Sequence, residues 1–297
     1  MRPTSGADPW HTGRMTGAAD DVRSTHVRRY YDLNTWKFLL TGSQRAIHRE
    51  LWGPGVTNRG EAVHHAHALV LGELGPDDRR VVDLGCGVGT AALYLAERRP
   101  VEVVGVSISP AQIRLAERYA TQGGPRPGTV RFVAADFTDL PDDLAGFDLA
   151  FAIESFVHAD PAAAFFREAA RVLRPGGALV VIDDVRTGKP ADPADPAGHR
   201  LADFRAGWHA PSVLSVDVAA ALAAAAGLDL VGSRDLSPMQ RLRRPRDRFV
   251  HAAQPLLRLG RGRSMWADSM VGGDALQQCH LAGVLQYRLL RFVRRPG

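Results

Sequence analysis

One ten-residue stretch constrains the fold of this chain more than any other feature. Two valines run into an acid, Asp83, and glycines follow at positions 85, 87 and 89. The next residues, 90–96, favour a helix, so the stretch predicts a strand, a tight loop and a helix. Glycine has no Cβ, so the loop backbone can approach a ligand closely. The helix N-terminus would direct free N–H groups toward that ligand.

The loop does not match the common phosphate-binding patterns. A P-loop ends in Gly-Lys-Ser/Thr, whereas Gly89 is followed by Thr90 and Ala91. The dinucleotide fingerprint Gly-x-Gly-x-x-Gly needs its third glycine one residue later, and it has no acid two residues before the first glycine. The carboxylate of Asp83 would repel a pyrophosphate and attract an ammonium group. A nucleotide-binding Rossmann domain of another kind remains the alternative.

The stretch resembles the first motif of the class I S-adenosylmethionine (SAM) methyltransferases, a strand followed by Asp-x-Gly-x-Gly-x-Gly. The resemblance implies a Rossmann-like, doubly wound α/β sheet of seven strands with an antiparallel last strand. It also implies SAM as the cofactor, with the ligand at the C-terminal ends of the strands. The residues that it assigns to cofactor binding are Asp83, Gly85, Cys86, Gly87, Gly89, Ser107, Ile108, Gln112, Asp136, Phe137 and Glu154.

Alternating strand and helix patterns support a parallel sheet over the middle of the chain. Strands are predicted at 80–84, 101–106, 129–134, 148–153, 177–183, 228–235 and 285–293. The predicted organisation is a disordered arm (1–24), an N-terminal helical cap (25–75), a SAM-binding core (76–235), a helical lid (236–284) and the last strand (285–297). The segment at 236–284 is too long to connect two paired strands without folding on its own.

Two of the cofactor motifs leave alternatives open. Most relatives place an acid at the end of the second strand, where this chain has Ser107. That resembles a subset comprising cyclopropane fatty acid synthases, sterol C-methyltransferases and some sugar O-methyltransferases, and Gln112 could add a hydrogen bond. Asp136 would accept from the adenine amino group beside Phe137, or it is a turn-capping acid.

Two chemistries compete after the fourth strand, at Glu154 and His158. Methylating an alkene creates a carbocation, which Glu154 could stabilise and deprotonate. Methylating a hydroxyl needs a base on the nucleophile, and His158 has a suitable ordinary pKa. The structural alternative is that Glu154 accepts from backbone amides and His158 caps the next helix. Asp184, after the fifth strand, is a second candidate base.

Residues elsewhere extend the predicted site. In the C-methyltransferase relatives a Tyr-Tyr-Asp segment covers the active site, so Tyr30 and Tyr31 are candidates for substrate contact and Tyr31 for catalysis, with simple packing as the alternative. Trp208 and the lid residues Arg241 and Arg244 are candidates for substrate binding. The arginines would grip an anion such as a diphosphate, with Mg²⁺ in that case, or form a solvated surface. No metal site is predicted at the histidines of 64–67.

The amino-acid composition limits which other classes of protein the chain can belong to. Apolar residues make up 45% and charged residues 23% of the 297 residues, as in a soluble globular protein. No apolar run approaches the ~20 residues of a membrane span, and no signal peptide is recognisable. Cys86 and Cys279 give no disulfide framework, which fits a cytoplasmic location. The net charge of +5 comes almost entirely from arginine, either a compositional habit or a sign of an anionic substrate. No basic stripe with interleaved aromatics points to nucleic acid.

The leading hypothesis is therefore a methyltransferase acting on a small natural-product precursor. C-methylation of an isoprenoid alkene, as a prenyl diphosphate or terpene, with Glu154 as cation stabiliser and base, comes first. The alternative is O- or N-methylation of a secondary metabolite with His158 as base. From another class, a non-catalytic SAM-binding module remains open. The expected partner is a small molecule, with no nucleic acid and no stable membrane insertion, and a homo-oligomer is allowed.

Overall fold

The structure is a computed structural model, and residues 48–188 and 195–296 are described. The predicted arm at 1–24, most of the predicted cap, and the candidates Tyr30 and Tyr31 lie outside the described residues. The strands are β1 Arg80–Leu84, β2 Glu102–Ser107, β3 Thr129–Ala134, β4 Phe147–Ile153, β5 Leu173–Arg186, β6 Leu228–Asp235 and β7 Leu285–Arg294.

Helices surround these strands, and two short 3₁₀ turns lie at Phe156–His158 and Ser237–Met239. The α-helices within the described ranges are α1 Arg59–Gly72, α2 Thr90–Ala96, α3 Pro110–Gln122, α4 Ala162–Val172, α5 Pro196–Gly207, α6 Val216–Ala225, α7 Pro245–Ala252, α8 Gln254–Leu259 and α9 Met265–Leu281. Of the described helices, none is both long and apolar enough to cross a membrane.

The strands form one seven-stranded sheet in the order β3-β2-β1-β4-β5-β7-β6. The first five strands are parallel, and β7 runs antiparallel between β5 and β6. The strand order reverses beside β1, so the carboxyl ends of β1 and its neighbours open a crevice for a ligand. The predicted doubly wound sheet with an antiparallel last strand is confirmed.

Both faces of the sheet are buried along its central strands, as the nearly continuous apolar sequences of β1, β2, β4 and β5 predict. Along β1, Val82 belongs to one apolar cluster and Val81 to another, because successive side chains point to opposite faces. The first cluster includes the aromatic residues Phe165 and Phe166 of α4, and the second includes Leu95 of α2. The sheet is thus a rigid layer between two sets of helices, and it fixes the loops at its carboxyl edge.

The helix between β2 and β3 begins where its sequence indicates. Ser109 caps α3, its hydroxyl accepting from the backbone N–H of Gln112, and Pro110 occupies the first turn. Proline suits that position because its missing N–H has no intrahelical partner there. This cap brings Gln112 back toward the end of β2.

The sequence interpretation was wrong about the region after β5. The proline-, alanine- and aspartate-rich residues 188–198 predict a loop, whereas α5 begins at Pro196 and continues to Gly207. Trp208 and His209 lie in the turn that follows the helix, where the sequence also predicts a loop. Leu201 and Phe204 of α5 are buried in a third apolar cluster with Leu276 of α9. Packing against another helix stabilises α5, although its proline- and alanine-rich start gave no helical periodicity. The segment 236–284, which is predicted to form a helical lid, contains α7, α8 and α9. Its role as a lid stays a prediction.

Candidate active site

The glycine loop lies at the carboxyl edge of the sheet between β1 and α2. The backbone N–H groups of Gly85 and Cys86 donate to the carbonyl of Val106 at 2.9 and 2.8 Å, which ties the loop to the end of β2. Gly85, Gly87 and Gly89 all have positive φ, at 100°, 54° and 81°. Any other residue would be strained at these angles, so the predicted glycines are required by the backbone itself.

The same loop is locked against the loop that follows β4. The hydroxyl of Ser155 donates to the carbonyl of Leu84 at 2.6 Å. A Cβ on Gly85 would lie 2.4 Å from the Cβ of Ser155, which is closer than real atoms approach. The absence of a side chain at position 85 therefore lets the two functional loops pack together.

Asp83 at the end of β1 is an acid without a counterion among the described residues. It is 2% exposed, and its Oδ2 is buried with no hydrogen-bond partner in that part of the chain. Burial raises the pKa of this carboxyl well above its ordinary value. A buried carboxylate oxygen of this kind is costly unless a cation or donor reaches it, so the position fits a ligand that carries an ammonium group.

Ser107 and Gln112 form a buried polar pair at the end of β2. The hydroxyl of Ser107 donates to Oε1 of Gln112 at 2.7 Å, and the N–H of Ser109 donates to the Ser107 hydroxyl at 3.2 Å. Ser107, the last residue of β2, therefore holds the amide group of Gln112 in place. Ile108, also predicted to contact the cofactor, follows this strand and is half-buried.

Asp136 follows β3 and caps a turn. Its Oδ1 accepts from the N–H and the hydroxyl of Thr138 at 2.8 and 2.7 Å, which is the structural alternative left open by the sequence. Phe137 packs edge-on against Phe165 with ring centroids 5.5 Å apart. The adenine contacts expected of both residues stay predictions.

Glu154 follows β4 with a left-handed backbone, at φ 50°. Its Oε1 accepts three hydrogen bonds: from the backbone N–H of Arg49 at 2.9 Å, from Nε of Arg49 at 3.0 Å and from the hydroxyl of Tyr287 at 2.9 Å. The guanidinium of Arg49 also lies 4.3 Å from the centre of the Tyr287 ring. The charge of Glu154 is therefore largely neutralised inside the site.

Asp184 lies near the end of β5 and shares the same arginine. Nη1 and Nη2 of Arg49 donate to its two oxygens at 3.1 and 2.7 Å, and Nε2 of His280 lies 2.7 Å from Oδ1. Burial alone would raise the pKa of Asp184, but the charge of Arg49 and the contact with His280 hold it below its usual value. Asp184 is thus an ionised, fully bonded carboxylate and a weak base.

Sequence reasoning missed Arg49, His280 and Tyr287. Arg49 lies 105 residues from Glu154 and 135 from Asp184, and His280 lies 96 residues from Asp184. No local spacing connects such positions. The only available signal was the expected burial of Glu154 and Asp184 at neighbouring strand ends, which requires a cation near them.

His158 lies in the 3₁₀ turn after Glu154. Its Nδ1 is 3.1 Å from the backbone carbonyl of His209, so Nδ1 carries the proton and Nε2 carries the lone pair. Burial lowers the pKa of this imidazole. The turn is anchored by Asp183, whose Oδ2 accepts from the N–H of Val157 at 3.0 Å. The predicted capping of the following helix by the His158 side chain is not among the described contacts of that helix.

The remaining predicted substrate residues lie in or against the lid. Trp208 donates its indole N–H to the carbonyl of Ser269 at 3.1 Å, between α5 and α9. Arg244 pairs with Asp247 at 3.2 Å and with Glu50 at 3.5 Å. The Arg241 guanidinium lies 3.3 Å from the centre of the Trp52 ring. These contacts join the lid to the rest of the chain, and an anion would compete with Glu50 and Asp247 for Arg244.

Three histidines meet on α1 and the segment before it. Nε2 of His48 lies 2.6 Å from Nε2 of His67, and Nδ1 of His64 lies 3.0 Å from Nδ1 of His67. His67 therefore uses a different nitrogen for each neighbour, which makes a chain of hydrogen bonds and not a converging set of ligands. Within the described ranges, no group of three or more potential ligands is arranged to hold a metal ion.

Comparison with known proteins identifies the family. The methyltransferase domain model matches residues 81–177. The O-methyltransferase rstn1 of Aspergillus nomiae is 34% identical over 158 residues, which cover 53% of this chain and 68% of that protein. The 27-O-demethylrifamycin SV methyltransferase of Amycolatopsis mediterranei is 33% identical over 205 residues, covering 65% of this chain and 74% of that protein.

The chain belongs to the class I SAM-dependent methyltransferases. A solved geranyl diphosphate methyltransferase, in complex with GPP and sinefungin, shares the fold of this methyltransferase at a TM-score of 0.69. That structure is 19% identical and covers 92% of this chain and 99% of its own. The predicted enzyme class and cofactor are confirmed, and the predicted residue roles stay predictions.

The geometry of this methyltransferase fits SAM. The unpartnered oxygen of Asp83 suits the ammonium group of the methionine part, and the bare backbone of the glycine loop suits close approach. The pair Ser107 and Gln112 suits the ribose hydroxyls. When bound, SAM supplies an electrophilic methyl group at the carboxyl edge of the sheet.

Proposed function

We propose that this methyltransferase methylates a hydroxyl oxygen of a small secondary metabolite, and that His158 accepts the hydroxyl proton. The observation that carries the proposal is the state of the His158 imidazole. Its Nδ1–H donates to the carbonyl of His209, and burial lowers its pKa, so the ring is neutral at pH 7 with the lone pair on Nε2. A neutral imidazole held in this way is suited to general-base catalysis.

The carboxylates of the site favour oxygen over carbon as the methyl acceptor. Stabilising a carbocation requires an available negative charge. Arg49 bonds to both Glu154 and Asp184, and Tyr287 also donates to Glu154, so their charge is offset before any acceptor binds. The two relatives described above, whose names specify an O-methyltransferase and a 27-O-demethylrifamycin methyltransferase, agree with this preference.

The experiment uses the purified chain with SAM that carries a deuterated methyl group. Acceptors would include a hydroxylated macrolide, a hydroxylated aromatic polyketide and geranyl diphosphate with Mg²⁺, and products would be analysed by mass spectrometry. O-methylation should be lost in His158→Ala by about 10²- to 10⁴-fold in kcat. His209→Asn is the matched control, because it keeps the backbone carbonyl and tolerates the left-handed φ of 50° at that position. Full activity of His158→Ala would contradict the assigned base.

A second candidate is the C-methylation of an isoprenoid alkene. One observation favours it: Glu154 is a largely buried carboxylate at the end of β4, with 13% of its side chain exposed. Tyr287 positions this carboxylate. In this reaction Glu154→Gln should abolish activity on geranyl diphosphate while His158→Ala retains it, the reverse of the pattern for oxygen. A diphosphate acceptor would also require Mg²⁺ and would draw on Arg241 and Arg244. The cytoplasmic location and the small-molecule partner accompany both candidates as predictions.

A further inference from the structure

His280 and Asp184 form a buried imidazole–carboxylate pair that the proposed reaction does not use. Their side chains are only 3% and 2% exposed, and Nε2 of His280 lies 2.7 Å from Oδ1 of Asp184. Asp184 is ionised and can only accept, so Nε2 of His280 carries the proton. His280 comes from the last turn of α9, in the lid, whereas Asp184 lies on the central sheet.

The other nitrogen of this imidazole is left without a partner by the described residues. Nδ1 of His280 is buried and has no hydrogen-bond partner there. When Nε2 carries the only proton of the ring, Nδ1 has just a lone pair, so it can receive a hydrogen bond and cannot give one. A buried acceptor in this state is costly, and the cost disappears when a donor reaches it.

The pair lies beside the proposed methyl-transfer site. Arg49 bonds to Glu154 and to Asp184, and its Nη1 is also 3.4 Å from Nε2 of His280. Val157 and Cys279 belong to the same apolar cluster, and they directly precede His158 and His280 in the chain. The turn that carries His158 and the last turn of α9, which carries His280, are therefore anchored in one apolar cluster.

We propose that the Nδ1 of His280, oriented by Asp184, binds a second hydrogen-bond donor of the acceptor molecule. The acceptor then carries a hydroxyl next to the one that is methylated, as in a sugar diol or a catechol. This inference rests on the proposed O-methylation, in which His158 takes the proton of the first hydroxyl. His280 acts as a binding residue that selects the acceptor, and Asp184 and Arg49 act as positioning residues.

The main test compares matched acceptors with matched variants. One acceptor pair is catechol and phenol, and the other is a methyl glycoside and its analogue that lacks the neighbouring hydroxyl. The rate of methyl transfer is measured as the release of S-adenosylhomocysteine. His280→Gln places an amide N–H near the original Nε2 and can keep the bond to Asp184, but it has no acceptor at the Nδ1 position. The wild type should favour the dihydroxylated member by about 10- to 100-fold in kcat/KM, and His280→Gln should remove most of that preference, mainly through KM.

A lid histidine provides the control. His251 also pairs with an aspartate, Asp274, at 2.9 Å, but 57% of its side chain is exposed. His251→Gln should keep the wild-type preference. Equal rates of the wild type on both members of each pair, or an unchanged preference in His280→Gln, would overturn the proposal.

An acceptor-independent measurement separates this proposal from the proposed function. Nitrogen-15 NMR of the histidine-labelled chain at pH 7.5 should show His280 as a neutral ring with its proton on Nε2 in the wild type. Asp184→Asn should change that signal and leave the His251 signal in place. If every acceptor pair fails, the proposed O-methylation is in doubt. A His280 ring that is doubly protonated, or protonated only on Nδ1, removes the acceptor and overturns the present inference alone.

Discussion

Arg49 holds Asp184 by two parallel hydrogen bonds, from Nη1 to Oδ1 at 3.1 Å and from Nη2 to Oδ2 at 2.7 Å, while its Nε binds Glu154. A planar guanidinium can bond two carboxylates at once in this way, and a lysine could not reproduce the geometry. The segment that precedes α1 is thereby fastened to the ends of β4 and β5.

Arg49→Ala should destabilise the fold strongly, because it leaves Glu154 and Asp184 buried without their cation. The expected loss in the free energy of unfolding is about 3–5 kcal/mol, measured by urea denaturation at pH 7. Arg174→Ala is the control: Arg174 also pairs with two aspartates but is 46% exposed, so about 0–1 kcal/mol is expected. Similar losses of unfolding free energy in both variants would show that burial of the Arg49 ion pairs does not increase their contribution to stability.

The same ion pair has a defined pH dependence. Because the pKa of Asp184 is lowered in the folded state, its contribution is fully present above the unfolded value of about 3.9 and is lost as the pH falls through the folded value. The difference in unfolding free energy between the wild type and Arg49→Ala should therefore be constant from pH 6 to 8 and shrink below pH 4. A difference that grows on acidification would contradict the assignment.

Asp83→Asn should stabilise the chain without cofactor and weaken cofactor binding. The amide removes a buried charge, so the free energy of unfolding should rise by about 1–3 kcal/mol at pH 7.5. The raised pKa of Asp83 in the folded state sets the direction of the pH dependence. The buried carboxyl destabilises the wild type least below the unfolded pKa of about 3.9, and the loss in unfolding free energy grows as the pH rises through the folded pKa. The gain in Asp83→Asn should therefore vanish in acid.

Calorimetry completes that test. Binding of SAM and of S-adenosylhomocysteine to Asp83→Asn should weaken by about 10- to 100-fold, since both carry the ammonium group. Gln240→Glu, which introduces a charge at a half-buried position of the segment 236–284, serves as the comparison for nonspecific electrostatic effects. Unchanged affinity in Asp83→Asn would remove the carboxylate from the cofactor site.

The pH profile of methyl transfer should report the neutral imidazole of His158. Burial lowers its pKa below the ordinary value of about 6.5, so the ring stays unprotonated at neutral pH. The value of kcat/KM should be flat from pH 7 to 8 and decline only below pH 6.5. In His158→Ala this acid limb should disappear together with most of the activity. An acid limb that is retained in the variant would assign the titration to another group.

Gly85→Ala should disrupt the junction of the two functional loops. The new Cβ would combine a φ of 100° with an approach of 2.4 Å to the Cβ of Ser155. Gly55→Ala is the control, because it has a φ of 79° and no neighbour within 4 Å, and should cost about 1–2 kcal/mol in thermal or urea unfolding. Gly85→Ala should cost more, and adding Ser155→Gly should recover part of the excess. No recovery would mean that the clash lies elsewhere.

The parts of this structure that could be predicted from sequence are those with local causes. The valines, Asp83 and the glycines specify strand, loop and helix within ten residues, and Ser109 with Pro110 marks the start of α3. The alternation of strands and helices along the chain then predicts the parallel sheet. The order of neighbours and the antiparallel last strand follow from the family resemblance.

The parts that could not be predicted depend on contacts between distant positions. Arg49, His280 and Tyr287 come from three separate elements and meet only because the sheet brings Glu154 and Asp184 together. The helix α5 depends likewise on burial of Phe204 against the lid. At Asp136 the difficulty is different. Both a turn-capping bond to Thr138 and the expected contact with a ligand require an acidic side chain, so the residue type alone cannot distinguish the two roles.

The position of β7 has a consequence for how the acceptor range of this enzyme can change. Asp235, the last residue of β6, pairs with Arg288 near the start of β7, so residues 236–284 leave and rejoin the sheet at adjacent points. When the two ends of a connecting segment are close together, the entropic cost of closing it rises only slowly as the segment becomes longer. The segment predicted to be the lid can therefore be lengthened or exchanged while the sheet and its glycine loop stay intact, which makes residues 236–284 a suitable place for grafts that test the proposed acceptor selectivity.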